Sequence, residues 1–176
     1  LIMKSRIISP SLLSADFSNL KEQIDTVVDA GANRLHLDVM DGHFVPNFTF
    51  GPFIVKAIRK LTNAHLETHL MISEPHKYLQ DFIDAGSDTL IFHYEASTDI
   101  DRDISIIKDN NILAGIAINP DTDVSKIYGY LDQIDYILIM SVNPGFGGQG
   151  FIDKTLEKMK VLSELSKKSN FLLGVD

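Results

Sequence analysis

Apolar positions recur along this chain in two alternating rhythms. Short runs at 34–40, 65–71, 89–93, 114–118, 136–142 and 171–175 are apolar at every second position or nearly without a break, the pattern of strands. A seventh run at 6–9, closed by Pro10, predicts a first strand. Between these runs the spacing is helical. Leu20, Ile24, Val27 and Val28 share one face, as do Ile54, Val55, Ile58 and Leu61. Tyr78, Phe82 and Ile83 mark a helix within 73–86, and further helices are expected at Ile100–Asp109, 122–131 and 153–168. The last is the best of them, with Leu156, Met159, Leu162 and Leu165 in register. Asn19 and Glu22 have the spacing of a capping box, and Gly31 a C-terminal stop. Strands and helices therefore alternate without exception, which predicts parallel strands.

Polar residues sit at the C-terminal ends of many strands: His36 and Asp38, His69, His93 and Glu95, Asn119, Asn143 and Asp176. An open doubly wound sheet would concentrate them at one crevice, whereas a barrel converges all its strand ends on one mouth. The expectation is a (β/α)8 TIM barrel. Such barrels take about 250 residues, so the 176 residues here predict a single barrel domain, 1–176, lacking its last β/α unit.

Composition narrows the classes of function. A net charge of −8 argues against nucleic-acid and anionic-membrane partners. The absence of cysteine removes disulfides and thiolate ligands. Leu1 and Ile2 precede Met3 as an upstream remnant would, and no leader or membrane-spanning pattern is evident, so a cytoplasmic protein is expected.

Two constellations carry chemistry. In the stretch 35–46, Leu35, Leu37 and Val39 point one way and His36, Asp38 and Met40 the other, before the strand breaks at Asp41-Gly42. With His69 and Asp176, also at strand ends, His36 and Asp38 make a donor set suited to a first-row divalent ion. His93 has the same positional profile as His69, and the residues alone do not separate the two. The second constellation is the Gly-rich segment 144–150, where Gly145, Gly147 and Gly148 let backbone amides approach an anion next to a helix start. It has neither the Lys-Ser/Thr of a Walker A loop nor Gly-x-Gly-x-x-Gly. Met40, Met71 and Met140 lie near strand ends, where methionine more often fills core space than lines a ligand.

The segments Ser9-Pro10-Ser11-Leu12-Leu13-Ser14-Ala15-Asp16, 35–47, His69-Leu70-Met71 and 141–149 together resemble the ribulose-phosphate 3-epimerase family, over essentially the whole chain. The resemblance implies a ribulose-phosphate-binding (β/α)8 barrel that interconverts D-ribulose 5-phosphate and D-xylulose 5-phosphate in the pentose phosphate pathway. It implies one divalent ion (zinc, iron(II), manganese or cobalt) on His36, Asp38, His69 and Asp176, which selects His69 over His93. Asp38 and Asp176 become the acid/base pair. Ser11, His69, Gly145, Phe146, Gly147 and Gly148 become substrate contacts, with Met40, Met71 and Met140 around the reacting atoms. The partners it implies are a small sugar phosphate and a second copy of the chain, as a homo-oligomer. The family pattern continues past Val175-Asp176 with two glycines, a helix, a strand and a second phosphate loop. Alternatives are a 3-epimerase of allulose 6-phosphate and a non-catalytic sugar-phosphate-binding protein. A decarboxylase on the same barrel is disfavoured, because strand two reads His-Leu-Asp-Val-Met-Asp where that relative carries Asp-x-Lys-x-x-Asp.

Overall fold

The computed structural model describes residues 6–176. Six parallel strands run in sequence order: β1 (Arg34–Met40), β2 (His65–Met71), β3 (Thr89–His93), β4 (Leu113–Ile118), β5 (Tyr136–Ile139) and β6 (Leu172–Val175). Five α-helices cross over between or before them: α1 (Leu20–Asp29), α2 (Pro52–Arg59), α3 (Leu79–Asp84), α4 (Ile100–Asp109) and α5 (Thr155–Leu165). No helix among the described residues is long and apolar enough to cross a membrane.

One face of the sheet is hydrophobic along its whole width. Leu35, Leu37 and Val39 of β1, with Leu66, Leu90, Ile116 and Ile137 of later strands, pack against Ile24, Val55, Ile58, Phe82, Ile107 and Leu162 of the helices. The period of two sends the alternate residues to the other face, which is polar on β1 and β2 and apolar on β5. That face is concave. Tyr136 Oη of β5 donates to Glu67 Oε1 of β2 at 3.3 Å, across two intervening strands. His69 Nδ1 likewise lies 3.7 Å from Asp176 Oδ2, just past the end of β6. A flat sheet with strands roughly 4.8 Å apart would hold these groups well out of reach.

Glycine makes room for the curl. A Cβ on Gly174 would lie 2.0 Å from Tyr136 Oη, and one on Gly115 2.9 Å from Ile91 Cγ1. Tyr136 can therefore lie across the concave floor only because β6 has no side chain at 174. Gly174→Ala is expected to destabilise the fold by about 1–3 kcal/mol through overpacking, read as a lower denaturation midpoint in urea.

Several expected elements differ. The run at 6–9 forms no strand; just past it the His36 N–H donates to Pro10 O at 2.9 Å and Ser11 makes an isolated bridge to His36. Among the described residues nothing pairs with its outer side, and Ile7 and Ile8 stay 47% and 71% exposed, so little burial offsets the cost of ordering it. The expected helix at 122–131 is a 3₁₀ turn over Val124–Tyr130, in a segment holding Val124, Tyr128, Gly129 and Tyr130, all weak helix formers. The helix expected within 73–86 divides into a 3₁₀ turn at Pro75–Lys77 and α3, after Glu74 takes a left-handed φ of 51°. Asn19 does occupy the N-cap of α1, but its side chain bonds the Glu22 carboxylate at 2.6 Å instead of a backbone amide.

Candidate active site

The end of β1 is fastened before it opens into a loop. Thr49 Oγ1 donates to Asp38 O at 2.6 Å and accepts from Met40 N–H at 2.9 Å, so the returning loop caps the strand. Asp41 then accepts from the amides of His43, Phe44 and Ser73, at 2.7–2.9 Å, and fixes the turn through Gly42, whose φ is +73°. This anchoring holds the inward-facing side chains of β1 in place.

Asp38 is the centre of the cluster. Its Oδ1 lies 3.2 Å from His36 Nε2 and 3.1 Å from His69 Nδ1, and its Oδ2 accepts Ser11 Oγ–H at 2.5 Å. His69 is the register partner of Asp38 across β1 and β2. Asp176 closes the group from the far edge: its N–H donates to Ile139 O at 3.0 Å and its C=O accepts from Ser141 N and Oγ, each at 2.6 Å. One donor atom from each of His36, Asp38, His69 and Asp176 lies within 4.8 Å of every other. Three of the four residues are buried and Asp176 is exposed.

This crowding of Lewis bases needs positive charge at its centre. Two imidazole nitrogens, His36 Nε2 and His69 Nδ1, face each other at 3.4 Å with a carboxylate oxygen beside both. Without an ion, a proton held on His36 supplies part of that charge. Burial alone would lower the His36 pKa, but its bonds to Asp38 and Glu67 outweigh that and raise it to about 10. Burial likewise pushes the Asp38 carboxyl up, and the two imidazoles pull it well below the ordinary carboxylate range. Two nitrogens and two carboxylate oxygens in this arrangement fit a first-row divalent ion as well.

His93, which the residues alone could not distinguish from His69, is not in this group. Its Nε2 lies 2.9 Å from His69 Nε2, on the side of the ring away from the cluster, and its Nδ1 is 3.2 Å from Glu95 Oε2. Burial pushes its pKa down to about 4, so it is a neutral hydrogen-bond partner of His69.

The Gly-rich loop stands opposite Asp38. Together with Ser11, Asp176 and the three methionines Met40, Met71 and Met140, residues Gly145, Phe146 and Gly147 line one pocket of about 90 Å³. Gly145 needs its φ of +121°, and a Cβ there would press on Val45 at 3.2 Å. Asn47 Nδ2 donates to Gly145 O at 2.8 Å and ties this loop to the one after β1. Gln149 Nε2 braces the turn from within, donating to Asn143 O and Phe146 O. Gly148 shapes the loop with a φ of +73°, and Gly145 and Gly147 of the same loop line the pocket. The helix expected next to the loop begins only at Thr155, so its first turn does not adjoin Gly145–Gly147. A larger groove of about 530 Å³ between the loop after β1 and α3 is walled by Phe48, Phe50, Tyr78 and Phe82, and holds none of the four clustered groups.

Glu67, the register partner of His36, is a functional candidate that the sequence alone does not mark, as are Arg34 and Tyr136, which bond it. Glu67 precedes His69 by two on β2, and that spacing was the available signal.

Residues 7–176 match the model of the ribulose-phosphate 3 epimerase family. A ribulose-phosphate 3-epimerase of Bacillus subtilis (strain 168) is 46% identical over 172 residues, covering 96% of this chain and 79% of that protein. One from Synechocystis sp. is 49% identical over 164 residues, 92% of this chain and 71% of that protein. Among solved structures, 3-keto-L-gulonate-6-phosphate decarboxylase from Vibrio cholerae superposes with a TM-score of 0.69, over 98% of this chain and 78% of that one. At 16% identity that likeness is one of fold.

Proposed function

This chain belongs to the ribulose-phosphate 3-epimerase family, and on that premise we propose that it interconverts D-ribulose 5-phosphate and D-xylulose 5-phosphate at C3 through an enediolate. The fold is read as the (β/α)8 type, a single barrel domain. The observation that carries the reading is the convergence of two aspartates from opposite edges of the curled sheet on one pair of imidazoles.

The residues divide the work. His36, Asp38, His69 and Asp176 would hold one divalent ion, which when bound supplies Lewis acidity worth several kcal/mol to negative charge developing on the substrate oxygens. Asp38 and Asp176 serve as proton carriers on opposite faces of C3, because inversion requires removal from one side and return from the other. Asp38 suits the ionised role: Ser11 and two imidazoles stabilise its charge within a buried site. Asp176 reaches the cluster from the other edge of the sheet, its Oδ2 3.7 Å from His69 Nδ1, and takes the second carrier's role. Met40, Met71 and Met140 give the reacting carbon an apolar surround that keeps water from quenching the enediolate. Gly145, Phe146 and Gly147 line the pocket, and their backbone takes the phosphate.

Gly145→Ala is expected to raise KM for the sugar phosphate about tenfold, roughly the worth of one amide bond to a charged group, with kcat little changed. The function itself is tested by incubating metal-loaded protein with ribulose 5-phosphate in deuterium oxide. Xylulose 5-phosphate carrying deuterium at C3 is the expected product, with slower turnover of allulose 6-phosphate. No exchange at C3 of either sugar would overturn the reading.

A further inference from the structure

We propose that Glu67 is a positioning residue for the metal centre: it holds His36 by Nδ1 and so presents Nε2 to Asp38, His69 and Asp176. The inference rests on the metal-site reading above and extends it to a residue outside the donor set.

Glu67 is the register partner of His36 across β1 and β2, and its side chain is 2% exposed. A carboxylate so deeply buried destabilises the fold unless donors surround it. Three do, and they divide its two oxygens. Oε2 takes Arg34 Nη1 at 3.2 Å; Oε1 takes His36 Nδ1 at 2.9 Å and Tyr136 Oη at 3.3 Å. The shortest of the three contacts is the one to His36. A plain structural ion pair would need only Arg34.

The consequence for His36 is chemical. A neutral imidazole has one N–H and one lone pair. Both nitrogens of His36 face a carboxylate, but Glu67 holds Nδ1 at 2.9 Å while Asp38 stands farther from Nε2, at 3.2 Å. With Nδ1–H donated to Glu67, the lone pair falls on Nε2, the atom 3.2 Å from Asp38 Oδ1 and 3.4 Å from His69 Nδ1. The same bond stops the ring from flipping, which would turn a carbon toward the cluster. Glu67 is itself held from the far wall, since the missing side chain at Gly174 lets Tyr136 span the floor to reach it. His69 is oriented differently, by the ring of His93 at 2.9 Å, so of the two imidazoles His36 is the one with a carboxylate behind it to strengthen its basicity.

The test uses Co²⁺ as probe on the whole chain, with Glu67→Ala and Glu67→Gln beside the parent. Affinity is taken from chelator competition, coordination from the visible ligand-field bands, and folding from circular dichroism of the metal-free forms. Alanine leaves His36 Nδ1 without a partner. Glutamine keeps the volume, but with its oxygen drawn to Arg34 it turns an N–H₂ toward Nδ1. Both are expected to weaken Co²⁺ binding 10–100-fold and to shift the bands, while the folded spectrum is retained. If alanine fails to fold, the isosteric glutamine decides. A folded variant with parental affinity and bands overturns the inference and leaves the metal site standing. A parent protein that takes up no Co²⁺ overturns the site and the inference together. Independently of any variant, imidazole ¹⁵N spectra of the zinc-loaded parent should show the His36 proton on Nδ1; a proton on Nε2 refutes the proposal.

Discussion

Asp38→Asn and Asp176→Asn should each slow epimerisation by about 10²–10⁴-fold, the usual worth of a positioned acid or base, and should fail in complementary ways. Each variant keeps one proton carrier, on one face of C3. Offered the epimer whose C3–H faces the surviving aspartate, it can still remove that proton and return a deuteron from solvent to the same face. The expected signature is exchange without inversion, from one epimer in Asp38→Asn and from the other in Asp176→Asn. Proton spectra of the recovered sugar read this directly. Because both residues are also candidate ligands, metal content must be measured alongside; asparagine keeps one oxygen donor at each position. An Asp38→Asn protein with ion bound and a near-parental rate would end the two-carboxylate scheme.

Stripping the ion should cost a comparable amount, several kcal/mol of transition-state stabilisation or roughly 10³-fold in rate, restored on adding back Co²⁺ or Zn²⁺. The pH dependence follows from His36. Its ion-free pKa is raised to about 10 by Asp38 and Glu67 against the opposing effect of burial, so at neutral pH a cation must displace a proton from it. Affinity should therefore rise about tenfold per pH unit between about pH 7 and 9, with one proton released per ion bound. The ion-free fold shows the opposite trend. A group whose pKa is higher folded than unfolded lends stability that is fully present below its unfolded value of 6.5 and lost as pH climbs through about 10. Melting temperature should thus fall with rising pH in chelator and not in excess Zn²⁺. Parallel trends in the two series would show that His36 is not where proton and cation compete.

The sequence was most legible where burial is most complete. The bounds expected for β1, β2 and β3 match those observed, because these strands are buried on both faces and their hydrophobic runs have sharp ends. The four donors His36, Asp38, His69 and Asp176 were readable as strand-end polar groups, and the structure brings them within reach of one another. Register was not readable. Asp38 pairs with His69, and His69 in turn with Ile91, so His93 falls off the rung that faces the cluster. No local pattern encodes that. Glu67 escaped notice for a related reason: a carboxylate in a strand reads as solvent-facing until the partner strands are known to bring it an arginine, an imidazole and a phenol. The run at 6–9 was overread because hydrophobicity marks a strand's capacity to pair and says nothing of whether a neighbour is present on each side.

The amide bridge from Asn47 to the carbonyl of Gly145 has a kinetic corollary. Met40, at the end of the strand that leads to Asn47, and Gly145 both line the pocket, so a latch between segments 98 residues apart makes these two lips travel as a unit. Substrate then meets an entrance already assembled during folding, so less disorder is lost on docking and encounter is faster. Cutting the latch with Asn47→Ala should leave each lip free to wander, with slower capture of the sugar and an unaltered rate of the bond-breaking step.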